Sequence, residues 1–139
     1  MREFLFKGKT VGEKVDFWVE GECRLYALGW FSQQDPQAVT IDTGRNLYLV
    51  DRDSVGQYTG RKDKNGRMIF EGDRLKYTYE DTYGTEELEM LVIWSDELCG
   101  FACEEEVNGQ KVIRDMIDEE EATAFVEVIG NRFDEVNAA

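Results

Sequence analysis

The sequence contains no histidine, a single proline and only three cysteines. Without histidine, the chain cannot build the Ser-His or Cys-His nucleophile pairs on which many hydrolases depend. The cysteines, Cys23, Cys99 and Cys103, cannot all pair with one another, and a structural zinc site needs four ligands. We therefore expect a protein of the reducing cytoplasm that holds no metal and no cofactor.

Long apolar runs are also missing. No run approaches the roughly 18 residues that a membrane-spanning helix requires. The apolar stretch near the N-terminus is interrupted at Lys7, which is too early for a secretory signal. Leu, Ile, Val and Phe nevertheless make up about a quarter of the 139 residues, which is more than disordered sequences contain. The sequence thus predicts a globular chain of ordinary domain size that has no membrane partner.

Acidic residues are concentrated in the second part of the chain. Residues 1–79 carry 13 Lys and Arg against 12 Asp and Glu, whereas residues 80–139 carry 3 against 18, and the whole chain has a formal net charge of −14. Nucleic-acid binding depends on Lys and Arg that displace counterions from phosphates, so we expect no direct nucleic-acid binding by the acidic C-terminal half. This half is interpreted either as a solvated surface or as a nucleic-acid mimic that attracts a basic partner.

Short extended segments dominate the first 50 residues. Residues 15–20 alternate with the period of two that is typical of a strand. Two further strands are predicted at Ala38–Asp42 and Leu47–Val50, on either side of a polar turn that contains Gly44. We predict an antiparallel β meander over residues 1–52.

Two Asn-Gly pairs predict hairpins in the remainder, because both residue types tolerate the positive φ of tight turns. Asn65-Gly66 and Asn108-Gly109 each stand between extended segments. Asp118–Phe125 is the one helical segment, and acidic residues lie at its start, where the helix dipole favours them. About five short strands suit a small closed barrel, since closure removes exposed edges. We predict such a barrel over residues 53–139, with one integrated domain as the alternative.

The carboxylates of this chain lack the spacing that known chemistry needs. Asp63-Lys64-Asn65-Gly66 resembles the start of a calcium loop, but the position that requires glutamate is Gly72. Consecutive acids at Glu104–Glu106 and Asp118–Glu121 would alternate faces or surround a helix end, whereas catalytic carboxylates need a dry cleft. We predict no catalytic, metal-binding or cofactor-binding residues. A carboxylate-based, metal-dependent hydrolase is the weakest alternative.

Aromatic side chains on neighbouring predicted strands form a candidate binding surface. Tyr77, Tyr79, Trp94 and Phe101 either pack in the core or line a groove that accepts a peptide or a methylated ammonium group. Single-stranded nucleic acid usually binds through aromatic stacking together with basic residues that attract its backbone. Since basic residues do not interleave with these aromatic residues, we do not expect binding of this kind.

The middle of the chain carries a long and specific pattern. Residues 51–73 read DRDSVGQYTGRKDKNGRMIFEGD, and this segment resembles the hallmark of the YopX family of phage and prophage proteins. Phe6-Lys7-Gly8-Lys9 and Glu127-Val128-Ile129-Gly130-Asn131 resemble the opening and closing segments of that family. The departures are small, for example Arg52-Asp53 in place of Asp-Pro and Arg61 in place of leucine.

The spacing of the strands and turns allows at most one short helix. The resemblance implies a phage-borne, cytosolic, mainly β protein whose C-terminal part is an SH3-like barrel. It also implies self-assembly into a homo-oligomer, and it assigns no activity. We interpret the hallmark as turns and core, in which Asp73 accepts backbone amide hydrogen bonds. The alternative is a binding surface around Gln57, Tyr58 and Thr59. The prediction is a non-enzymatic accessory protein that binds a protein partner or itself, with the acidic decoy as the second hypothesis.

Overall fold

The computed structural model describes residues 5–12, 15–24 and 38–136 of the chain. The chain divides into two compact units, Met1–Tyr58 and Thr59–Ala139. Its strands are β1 (Phe6–Lys9), β2 (Trp18–Arg24), β3 (Ala38–Asp42), β4 (Leu47–Asp51), β5 (Gly56–Lys62), β6 (Met68–Phe70), β7 (Asp73–Asp81), β8 (Gly84–Ser95), β9 (Gly100–Val107), β10 (Gln110–Asp115) and β11 (Val126–Asn131). The helices are a 3₁₀ turn (Arg52–Ser54), α1 (Glu119–Phe125) and α2 (Arg132–Val136). The mainly β class is therefore confirmed.

The first unit is an antiparallel sheet in the order β4-β3-β2-β1-β5. Its core contains Val19, Val39, Ile41 and Val50. Gly8 lies in β1 directly beneath this core, and a Cβ atom there would come within 2.9 Å of Val50 Cγ2. The glycine of the opening Phe6–Lys9 segment is thus required by the packing of β4 against β1. The part of the predicted meander at residues 25–37 lies outside the described residues.

The second unit is built on an antiparallel sheet in the order β10-β9-β8-β7-β11. The predicted Asn108-Gly109 hairpin joins β9 to β10, and both residues have positive φ, 54° and 79°. The predicted Asn65-Gly66 hairpin joins β5 to β6, where the Asp63 N–H donates to the Arg67 carbonyl at 2.8 Å. Both hairpin predictions are confirmed.

Helix α1 covers one face of this sheet. Asp118 caps the helix by accepting a hydrogen bond from the Glu121 N–H at 2.8 Å, and the first turn is acidic as predicted. Ala122 and Ile117 pack into a core with Leu75, Met90 and Val92. The predicted position of the helix is confirmed, and a further five-residue helix, α2, follows β11.

The second sheet is open, so the closed SH3-like barrel is not found among the described residues. The strand order ends at β10 on one side and at β11 on the other. The apolar face is covered by α1 and by the segment at Met116 and Ile117, so the sheet does not need to curl onto itself to bury this face. The barrel was predicted on the premise that closure removes the exposed edges of a sheet. This premise was wrong here, because the β5–β6 hairpin covers the β11 edge through hydrogen bonds without closing the sheet.

Candidate functional site

A buried aspartate lies at the centre of the hallmark segment. Asp63 is 1% exposed, and its Oδ1 atom accepts hydrogen bonds from the N–H groups of Asn65 and Arg67 at 2.9 and 2.8 Å. Its Oδ2 atom accepts a third bond, at 3.0 Å, from the N–H of Val128 in β11. Both oxygens are therefore used to shape the hairpin and to attach it to a strand 65 residues further along the chain.

A second buried aspartate joins the hallmark to the closing segment. Asp73 is fully buried; it accepts a hydrogen bond from the Phe70 N–H at 2.8 Å and another from the Asn131 side-chain amide at 3.0 Å. Gly72, at φ 93°, donates its N–H to the Val92 carbonyl and accepts from the Arg132 N–H. The prediction that Asp73 accepts a backbone amide bond is confirmed. Asp63 and Asp73 thus have structural roles, because their carboxylates attach the turns of the hallmark segment to the second sheet.

The predicted residues at the hallmark's start are mostly covered. Tyr58 is 6% exposed, and its N–H donates to the Leu5 carbonyl at 2.7 Å. Thr59 is 7% exposed, and its hydroxyl donates to the Ile69 carbonyl at 2.8 Å. Gln57 is half-buried in β5. A binding surface built on Gln57, Tyr58 and Thr59 stays a prediction. Little of the Tyr58 and Thr59 side chains is accessible to a ligand.

The three other predicted residues lie on one face of the second sheet but at two separate places. Tyr77 and Tyr79 are neighbours on β7, with ring centroids 5.8 Å apart. Tyr77 pairs with Leu88 in the strand register, and Trp94 lies six residues further along β8, or roughly 20 Å away. There Trp94 is 47% exposed and packs edge-to-face on Phe101 at 5.3 Å. Tyr77 and Trp94 therefore do not form one site.

A groove of about 540 Å³ opens beside Tyr77, within the usual range for ligand sites. Its floor is formed by Tyr77, Leu88 and Met90, and its wall by Met116 and Ile117, which follow β10. This arrangement makes a trough with an apolar floor between the sheet and the start of α1.

Carboxylates surround this trough. Glu105, Asp115, Asp118 and Glu121 line it, together with Arg114. The Arg114 Nε donates to the Glu105 carboxylate at 2.8 Å, so this cation is already paired within the chain. The result is an apolar floor with a negatively charged rim.

Two neighbouring tyrosines have raised pKa values, and the rim contributes to that of Tyr77. Burial is the main factor that raises the pKa of Tyr77 above its usual value, and the carboxylates of Glu121 and Asp118 add to it. The Tyr79 hydroxyl donates to the Glu86 carboxylate, and this hydrogen bond raises the pKa of Tyr79. Both phenols are therefore neutral donors at physiological pH.

The opposite face of the same sheet is polar and acidic. Glu104 and Glu106 lie beside Glu87 and Glu89 along a depression of about 590 Å³. Lys111 approaches Glu104 at 3.6 Å, and Lys76, on the neighbouring strand β7, approaches Glu87 at 3.4 Å. This face offers spaced carboxylates but little of the apolar surface found in the groove.

The described residues contain no group of three or more His, Cys, Asp or Glu side chains placed to hold a metal ion. Cys99 and Cys103 are both free thiols; the first is exposed and the second is buried, 3.8 Å from the Met116 sulfur. Burial raises the pKa of the Cys103 thiol. None of the helices in residues 5–12, 15–24 and 38–136 has the length and apolar character needed to cross a membrane.

Sequence reasoning found Tyr77 but missed the rest of the groove. The alternation along β8 predicted that Leu88 and Met90 share a face, and the strand register then places that face beside Tyr77. The return of Met116 and Glu121 over that face depends on long-range packing, which no local pattern encodes.

No curated protein matches the chain. A family model described as YopX protein matches residues 14–137, which include the two buried aspartates and every residue of the groove. The match covers most of the chain, and the chain therefore belongs to the YopX protein family.

Proposed function

We propose that this chain is a phage-derived, non-enzymatic accessory protein of the host cytoplasm, which acts by binding protein, either a partner or another copy of itself. The observation that carries the proposal is the groove beside Tyr77, with its apolar floor and carboxylate rim. The resemblance of residues 51–73 to the hallmark of a family of phage and prophage proteins supports the phage origin.

The chemistry of the groove selects a class of ligand. Leu88 and Met90 favour an apolar side chain, and methionine adapts its shape to different partners. Asp118 and Glu121 attract Lys or Arg on either side of that side chain and speed its encounter with the groove. The expected ligand is therefore a protein segment in which apolar and basic residues alternate.

The same groove is poorly suited to acid–base catalysis. The side chain of Glu105 is only 12% exposed, but Arg114 holds it in an ion pair. Asp118 and Glu121 are exposed, whereas a general acid or base works in a dry cleft. A role in binding fits these residues better than a role in turnover.

Two synthetic peptides of equal charge test the proposal by calorimetric titration. One alternates lysine with leucine over eight residues, and the other alternates lysine with glycine. We expect the leucine peptide to bind at least about tenfold more tightly, because it alone can bury apolar surface in the groove.

A pair of neighbouring variants locates the binding. Glu121→Lys reverses a charge on the rim, and Glu120→Lys makes the same change one residue away, outside the groove. The first should weaken the leucine peptide by about tenfold and the second should have little effect. Equal affinity for the two peptides, or equal effects of the two variants, would contradict the groove proposal.

The glutamate-lined depression on the other face favours a second candidate, an acidic decoy for a basic protein. In that case binding depends on charge alone, so the glycine peptide should bind as well as the leucine peptide and be released at high salt. Replacing Glu104 and Glu106 with glutamine should then abolish peptide binding at low salt, and a lack of effect would reject the decoy.

A further inference from the structure

Strand β10 is an edge of the second sheet. Among the residues the structure describes, its one strand neighbour is β9, and all of its residues but Val112 are exposed. The other edge is different, because the Lys64 N–H donates to the Val126 carbonyl at 2.8 Å and Asp63 accepts from the Val128 N–H. The sheet is therefore covered at β11 and open at β10.

The hairpin fixes which backbone groups of β10 point outward. Val107 and Gln110 flank a two-residue turn, whose geometry directs the Gln110 N–H to the Val107 carbonyl. Because the direction of hydrogen bonding alternates along an antiparallel strand, the groups of Val112 and Arg114 also face β9. The N–H and C=O groups of the intervening residues point away from the sheet. These residues are Lys111, Ile113 and Asp115.

The outward-facing residues are complementary to a second copy of themselves. When two β10 strands pair antiparallel about Ile113, Lys111 of each copy lies directly opposite Asp115 of the other. Ile113, which is 50% exposed, then meets its equivalent on the same face. A shift of the strands by one pair places a charge opposite Ile113, and a larger shift places like charges together. Only the centred register satisfies every outward position.

We propose that two copies of this chain associate through their β10 edges, antiparallel and centred on Ile113, so that their second sheets join into one continuous sheet. This inference deepens the proposed self-association and rests on it. The arrangement is isologous, because the same patch is used by both copies, and it satisfies the unpaired backbone groups of the edge.

Two single charge reversals test the register. Lys111→Asp places carboxylates opposite one another at both ends of the pairing, and Asp115→Lys does the same with ammonium groups. Each variant should self-associate about tenfold more weakly than the natural chain by sedimentation equilibrium. An equimolar mixture should recover the natural affinity, because every charged pair across the interface is then opposite in sign.

A matched pair separates this effect from general attraction. Lys62→Asp and Glu97→Lys make the same charge changes at exposed positions outside β10, so alone or mixed they should associate as the natural chain does. Melting curves confirm that each variant is folded. Self-association that is insensitive to the β10 reversals, or that the mixture fails to recover, overturns the edge pairing but leaves self-association in place. A natural chain that stays monomeric at millimolar concentration overturns both the edge pairing and the self-association. Binding of the leucine peptide is measured separately on the natural chain, because Asp115 also lines the groove.

Discussion

Replacing Asp63 with asparagine removes one of the two acceptor oxygens from the carboxylate that holds the hallmark hairpin. The carboxylate accepts three backbone N–H groups, from Asn65, Arg67 and Val128, and it is 1% exposed. The asparagine amide has one oxygen, so in either orientation its NH₂ group faces at least one of these donors. Neither rotamer satisfies the site.

The magnitude follows from the buried donors. One buried N–H without an acceptor costs about 1–3 kcal/mol, and the remaining bonds lose the extra strength that a charged acceptor gives. We expect a total loss of about 3 kcal/mol in the free energy of unfolding, which corresponds to a fall of about 10 °C in the melting temperature for a protein of this size.

Asp81→Asn is the matched control for this measurement. Asp81 also accepts a hydrogen bond from the N–H two residues further along, at 2.7 Å, but it lies exposed at the end of β7. Its replacement should change the stability by less than about 0.5 kcal/mol, as surface substitutions usually do. If the two variants melt within about 2 °C of one another by calorimetry, the hallmark does not stabilise the fold in the way described.

The remaining predictions concern titration and thiol reactivity. Because the pKa of Tyr77 is raised in the folded protein, folding favours the neutral phenol; this contribution is fully present below the unfolded pKa of about 10 and is lost as the pH rises through the folded value. The pKa of Tyr77 can be followed as the difference in tyrosinate absorbance between the protein and its Tyr77→Phe variant. The substitution Glu121→Gln should lower this pKa, and an unchanged pKa would disprove the influence of the rim. Burial likewise raises the pKa of the Cys103 thiol, so alkylation mapped by mass spectrometry should modify Cys99 in the native protein long before Cys103. Equal rates at the two cysteines would show that Cys103 is accessible.

Local elements of the fold could be predicted from the sequence, because their signals are local. The turns at Asn65-Gly66 and Asn108-Gly109 follow from residues that tolerate positive φ, and α1 follows from the cap at Asp118 and the acids after it. Strand order could not be predicted in this way. The pairing of Val126 with Tyr77 joins residues far apart in sequence, and no short pattern specifies such a neighbour.

The same division applies to the candidate site. Alternation along β8 placed Leu88 and Met90 on one face, so part of the groove floor was implicit in the sequence. The rest of the groove includes Met116 and Glu121, which reach it only after the chain has passed through two further strands. For Asp63 the sequence predicted a turn, but the bond from Val128 that explains the buried charge is a tertiary contact.

The claim that the groove recognises protein can be tested in the cell that expresses the chain. A photo-crosslinking amino acid at Leu88 lies on the groove floor, and the same group at Tyr83, which is 97% exposed in the β7–β8 turn, reports random encounters. We predict that light produces a discrete protein adduct from position 88 and none from position 83. The absence of an adduct from position 88, or the same adducts from both positions, would contradict the account.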